Sequence, residues 1–227
     1  MRYIFLDLDN TICLSKQLVK LPMLRDLELM NGSFKVCIVS GAEYSRMLVQ
    51  APLNYVLYMA QNGNETWDGE TLLWKNELLD KDDIFQHIVQ VATELGIRIG
   101  YDMIDDRGSQ ISFSFVGHHA EQSLKDAFDP DRKIRISLLE KFPHLRAVIG
   151  GTTCIDYIPQ TKGQNIARLL KQRKIKQSDC LYIGDAFMNH GNDATVMGVI
   201  PTFQVESPLG TYEFIKQLYD PRYFPLR

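Results

Sequence analysis

Asp7 and Asp9 stand one residue apart in "YIFLDLDNT", where an apolar run gives way to acids. Two carboxylates that close raise each other's pKa unless a cation or a proton settles the conflict. The pair is therefore either a solvated strand end or the start of a site. D-x-D-x-T also opens like a calcium loop, which needs glycine at its sixth position and glutamate at its twelfth. Those positions hold Ile12 and Leu18, so calcium is rejected.

Three further groups join the pair. Ser40-Gly41 closes a second apolar run. A serine at a strand-to-helix turn is ordinarily a helix cap, and a hydroxyl beside exposed backbone N–H groups also makes an anion site. Lys162 opens the amphipathic stretch "TKGQNIARLL". A cation is mildly unfavourable at that end of a helix dipole; a lysine neutralising a phosphoryl group would accept the placement, and so would a solvated one. The strongest signal is "GDAFMNHGND", in which Asp185 ends an apolar run and the pair Asn192-Asp193 follows in a glycine-containing loop. Asp7, Asp9 and Asp185 offer the oxygen ligands that Mg2+ favours, alongside waters and substrate phosphate. Ser40 and Lys162 offer donors to a phosphoryl group.

These side chains need a sheet to converge. Tyr3–Leu8, Ser33–Ala42, Asn54–Gly63, Asp179–Ala186 and Gly198–Val205 read as short buried strands, with helical stretches such as "AEYSRMLVQA" and "TKGQNIARLLKQRKI" between some of them. Strand and helix in alternation predict an α/β fold, a Rossmann-like parallel sheet with helices on both faces. Ligands in such sheets lie beyond the carboxyl ends of the strands, the end where Asp7, Ser40 and Asp185 fall. The middle reads differently. Asp68-Gly69 marks a hairpin, "DIFQHIVQVATELG" a helix closed by Gly96, "IRIGYDMI" and "SQISFSFVG" strands, and Arg132–Phe142 a second helix before "RAVIGGTTCIDYIP". This texture predicts an α+β cap at residues 81–157 inserted into a core formed by 1–80 and 158–227.

The bulk properties narrow the classes. The chain has 227 residues and a formal net charge of −3. No basic patch points to nucleic acid or a membrane surface. The opening residues do not read as a signal peptide, and no apolar stretch is long enough to span a bilayer. Cys13, Cys37, Cys154 and Cys180 are scattered without zinc spacing, which fits reduced, mostly buried thiols and a cytoplasmic location.

The order and placement of these motifs resemble the haloacid dehalogenase superfamily of phosphotransferases. An inserted cap marks its subgroup of sugar-phosphate phosphatases and eukaryotic-type phosphomannomutases. "AQNGN" resembles an E-N-G segment there, with Gln61 replacing the acid. "VIGGTTCIDYIP" is similar to "SIGGQISFDVFP" of phosphomannomutases, "GDAFMNHGND" to "GDKTMPGGND", and "DRGSQISFSFVGHH" more loosely to "FRNGMLNVSPIGR".

The resemblance implies Asp7 as nucleophile forming an aspartyl phosphate and Asp9 as general acid/base. Asp7, Asp185 and the Asp9 backbone carbonyl would hold Mg2+. Thr11, Ser40, Gly41 and Lys162 would bind phosphate, while Asn192 and Asp193 would orient metal-bound water or Lys162. Substrate contacts are implied for Asn62, Arg107, His118 and Asp156, with Arg107 on a distal-phosphate arginine and Asp156 on a carboxylate facing sugar hydroxyls. Several positions depart from the pattern. Asn10 replaces a glycine and is expected to tolerate positive φ. His118 and Lys16 stand where arginines are expected, and Cys154 replaces a serine.

A mutase grips phosphate at both ends of a hexose bisphosphate, which favours forked guanidinium groups. Their loss favours a phosphatase of a sugar phosphate or similar small phosphorylated metabolite, with phosphomannomutase activity the alternative. A non-catalytic, receiver-like phosphate module would lack Asp9 and the cap. Family analogy also allows a cap-to-cap homodimer.

Overall fold

The structure, a computed structural model, describes residues 2–142, 144–188 and 190–219. In chain order the core begins with β1 (Tyr3–Asp7), α1 (Leu21–Met30), β2 (Lys35–Val39), α2 (Tyr44–Gln50), β3 (Leu57–Ala60), β4 (Glu65–Asp68) and β5 (Thr71–Lys75). A second group follows: α3 (Lys81–Glu94), β6 (Ile104–Asp106), β7 (Ile111–Ser114), α4 (Gln122–Ala127), α5 (Lys133–Lys141), β8 (Ala147–Gly150) and β9 (Cys154–Tyr157). The core then resumes with α6 (Lys162–Arg173), β10 (Cys180–Gly184), β11 (Thr202–Gln204) and α7 (Pro208–Tyr219).

The core sheet has seven strands in the order β11-β10-β1-β2-β3-β4-β5. The first five run parallel, and the β4–β5 hairpin extends the sheet antiparallel beyond β3. The parallel strands are apolar on both faces because helices cover both. Ile4, Leu6, Val36, Ile38, Tyr58 and Ala60 pack on one side with Met23 and Leu27 of α1, Met47 of α2 and Ile215 of α7. Phe5, Cys37, Val39, Leu57 and Met59 pack on the other with Ile166, Leu169 and Leu170 of α6. The strict period of two along each strand thus assigns every side chain to a named helix layer.

The four-stranded second sheet, β6-β7-β9-β8, is antiparallel throughout. It is apolar on one face only. Ile111, Phe113, Ile155 and Tyr157 pack beneath Ile84, Ile88 and Val91 of α3 and Leu138 of α5. Ser112 and Asp156, the alternate residues, point the other way, towards the core. The strand expected over Ile97–Ile104 is shorter. Extended pairing starts only at Ile104, because the Met103 N–H turns back to the Gly100 carbonyl and the Gly100 N–H donates to Met103 Sδ. Helices α1, α4 and α7 were not anticipated; α1 starts with Pro22 inside its first turn, a helix-opening signal.

His87 sits under α3 with Nδ1 2.9 Å from the Tyr157 hydroxyl and Nε2 without a partner. Burial, with His144 and Lys141 pushing the same way and Glu94 opposing, lowers its pKa. The unfolded chain then takes up the proton first, so stability declines as pH falls below about 6.5, until folded His87 also protonates. Denaturant melts between pH 7.5 and 5 should show this slope, and His87→Phe should flatten it; an unchanged slope would assign it to other groups.

The cysteines Cys13, Cys37, Cys154 and Cys180 are free thiols. Among the described residues no helix is long and apolar enough to cross a membrane.

Candidate active site

Parity along β1 places the central residue. Asp7 shares a face with Phe5, the face that α6 covers. Lys162 opens α6 there, and its Nζ donates to Asp7 Oδ1 at 2.5 Å and Asp193 Oδ1 at 2.7 Å, with the Tyr182 hydroxyl 3.3 Å away. The helix starts at this point because Thr161 and Gln164 form a capping box, each side chain accepting the other's backbone N–H. Gly163 lets the start of α6 press against the turn Asn192–Val196, since a Cβ there would collide with the Thr195 carbonyl. At Gly184 a Cβ would enter the Asp193 carboxylate.

Asp193 is fully engaged. Its Oδ1 accepts from Lys162 and from the Tyr182 hydroxyl at 2.5 Å, and its Oδ2 accepts the Ala186 N–H at 3.0 Å. Asp185 is half-buried, with Thr11 Oγ1 3.5 Å from its Oδ1. One carboxylate oxygen from each of Asp7, Asp185 and Asp193 lies within 4.8 Å of the others. Three acids with one lysine leave excess negative charge. Burial drives the Asp7 carboxyl up, Asp193 and Asp185 push it further, and Lys162 opposes them. Asp185 is raised by burial and by Asp193. Lys162 itself is raised, because the two carboxylates outweigh its burial. A divalent cation would resolve this conflict, and the all-oxygen donor set suits a hard ion. Asp7 and Asp185 are the acids free to hold it, Asp193 being committed to Lys162, Tyr182 and the backbone.

Asp9 stands apart from this cluster. Its Oδ1 accepts the Lys16 N–H at 2.6 Å, and Gln50 Nε2 lies 3.4 Å away. The side-chain cluster therefore contains Asp193 where the sequence pointed to Asp9, whose expected metal contact involved only its backbone. Asn10 adopts φ 59°, the left-handed turn expected of it. Ser40 does not cap α2. Its Oγ accepts the Ala42 N–H at 3.1 Å, and the helix begins four residues later behind Glu43.

A cavity of about 440 Å³ opens between the two sheets. Asp7, Asp9, Ser40, Gly41, Asp185 and Asn192 line it from the core, and Arg107, His118 and Asp156 from the smaller domain. Asp156 is held by Ser112 Oγ at 2.6 Å, and burial raises its pKa against the pull of Arg107. His118 donates from Nε2 to the Ser112 carbonyl at 3.2 Å, and burial lowers its pKa, so it is neutral at pH 7. Arg107 donates to Asp105 and, at 2.7 Å, to the carbonyl of Gly41 in the serine loop. That bond holds it beside the core rather than free to grip a remote phosphate.

Four anticipated residues lie behind the cavity wall: Thr11, Asn62, Lys162 and Asp193. Asn62 is a link rather than a substrate contact. It donates to Gln110 at 2.9 Å, accepts from Asn192 at 3.2 Å, and its N–H bonds the Ser40 carbonyl at 2.7 Å. Sequence reasoning missed Tyr182, Gln50, Arg46 and Lys125. Only Tyr182 carried a signal, as the polar-tipped residue of an apolar run two places before the strand's end.

Neither a family profile nor a curated protein matches the sequence. Solved structures do match the fold. An N-terminally truncated, IMP-bound IMP-nucleotidase from Plasmodium falciparum superposes with a TM-score of 0.70 at 14% identity, over 95% of this chain and 67% of that one. A haloacid dehalogenase-like hydrolase from B. subtilis gives 0.68 at 17% identity, over 96% and 100%. Another, from Bacteroides thetaiotaomicron, gives 0.64 at 13% identity, over 96% and 99%. Over nearly its whole length, the chain therefore has the fold of the haloacid dehalogenase-like hydrolases, a parallel-sheet core carrying a separate antiparallel cap.

Proposed function

We propose that the protein is a Mg2+-dependent phosphatase of a sugar phosphate or similar small phosphorylated metabolite, acting through an aspartyl phosphate on Asp7. The observation that carries this reading is the separation of two nearby acids. Asp7 is buried against Lys162, Asp185 and Asp193, whereas Asp9 is held by the Lys16 amide, and both line one cavity.

Asp7 attacks phosphorus as the ester P–O bond breaks, and Asp9 gives its proton to the departing oxygen. Water then attacks the acyl phosphate, Asp9 takes that water's proton, and inorganic phosphate leaves with Asp7 restored. Lys162 stays protonated throughout and offsets charge on the phosphoryl oxygens. The bound cation supplies further neutralisation of that charge.

Arg107 favours hydrolysis over mutase action, because its guanidinium is already committed to Asp105 and the Gly41 carbonyl. The test is phosphate release from a panel of sugar phosphates with and without Mg2+, together with borohydride reduction to trap an acyl phosphate at position 7. Asp9→Asn should slow turnover about 10²–10⁴-fold, the range for loss of a general acid/base. Formation of mannose 6-phosphate from mannose 1-phosphate, dependent on a hexose bisphosphate activator, would replace the phosphatase with a mutase. No release and no trapping would end the catalytic reading.

A further inference from the structure

Two lysines meet at one point on the cavity wall. Lys16, from the loop after β1, and Lys125, from α4 in the cap, both donate to the His118 carbonyl at 2.8 Å. Arg46 of α2 lines the same cavity. Burial, with Lys125 and Arg46, pulls the Lys16 ammonium below its ordinary pKa. Among the described residues, Lys16, Lys125 and Arg46 form no ion pair, whereas Arg107 and Arg135 on the same walls are paired with Asp105 and Asp129. Asp126 also lines the cavity, but adjacent helical residues do not face each other, and its Oδ1 accepts from Gln122. A neutral carbonyl can accept two N–H donors but balances none of their charge. Lys16 also holds a left-handed backbone, φ 61°, with its N–H on Asp9.

That last bond locates the cluster relative to the reaction. Asp9 delivers its proton to the leaving oxygen, so the leaving group lies on the Asp9 side, next to Lys16. We propose that the leaving group carries a second anionic group, a phosphate or a carboxylate, which docks on Lys16 and Lys125 with Arg46 beside them. The proposal rests on the phosphatase reading and narrows its substrates to doubly anionic phosphomonoesters.

Two matched pairs test it: glucose 6-phosphate against glucose 1,6-bisphosphate, and glycerol 3-phosphate against 3-phosphoglycerate. The doubly anionic member of at least one pair should show kcat/KM about tenfold or more above its partner, as expected for charge-assisted contacts. Added salt should shrink that ratio. The two pairs separate phosphate from carboxylate. Lys125→Met should bring the ratio towards one, and Lys125→Arg should restore much of it; a merely structural lysine would lower both members equally.

Thermal shift of Asp7→Asn with the same four compounds reads binding without turnover. Equal kcat/KM and equal shifts overturn the proposal and leave the phosphatase reading standing. No phosphate release, but a larger shift with the doubly anionic compounds, overturns the phosphatase reading and supports the anion site. No release and no differential shift overturns both.

Discussion

Asp7→Asn should lose phosphate release by about 10⁴-fold or more, the scale seen when a covalent nucleophile is removed, and should fold at least as well as the parent protein. Asparagine keeps the shape of the side chain but cannot form an acyl phosphate. The stability half of this expectation follows from linkage. The folded pKa of Asp7 lies above its unfolded value, chiefly through burial, so its ionised form opposes folding when no cation is present. The Asp7 contribution is complete below the ordinary carboxylate range and is lost as pH rises through the folded value. Substitution should remove that loss. It should also diminish the rise in Tm that Mg2+ gives the parent protein, because one of the two free carboxylates is gone. Melts of both proteins with Mg2+ and with a chelator check all three points. A destabilised Asp7→Asn, or one with full activity, would contradict the assignment.

Lys162→Met should be damaging in both respects. The ammonium is enclosed, and it is the cation that bridges Asp7 and Asp193. Removing it leaves two buried carboxylates facing each other, a class of change that costs about 3–5 kcal/mol. Turnover should fall about 10²–10³-fold through loss of charge stabilisation at the phosphoryl group. Lys162→Arg should rescue neither property, since a planar fork cannot replace a compact ammonium in a closed space. Pairing Lys162→Met with Asp193→Asn should recover part of the stability and none of the turnover, which separates the two effects. Urea midpoints and kcat provide the readouts. Unchanged stability in Lys162→Met would show that the site carries no net charge burden.

Cap and core are tied at the places where chemistry is proposed. Arg107 bonds the serine loop, Asn62 joins Gln110 of the cap side to Asn192 of the acidic loop, and Ile149 bridges Gly191. Opening the cap would therefore break contacts to two of the loops that line the cavity.

The sequence by itself determined the layered core and the acids at its edge. Short runs apolar on both faces can be satisfied only between two helix layers, and polar residues where such runs stop must fall at the strand ends. Asp7, Ser40 and Asp185 were legible for that reason, as was the left-handed turn at Asn10. The tertiary structure decided the pairings. That Lys162 meets Asp7 depends on which sheet face α6 covers, and that choice is fixed by packing across 155 residues of chain. Asn62 and Arg107 looked like substrate contacts because their residue types suit that role; their partners, Gln110, Asn192 and the Gly41 carbonyl, come from distant segments. The meeting of Lys16 with Lys125 is the same kind of fact, 102 and 7 residues respectively from the carbonyl they share. Local periodicity fixes the face a side chain occupies, and only the docking of cap on core fixes what stands opposite it.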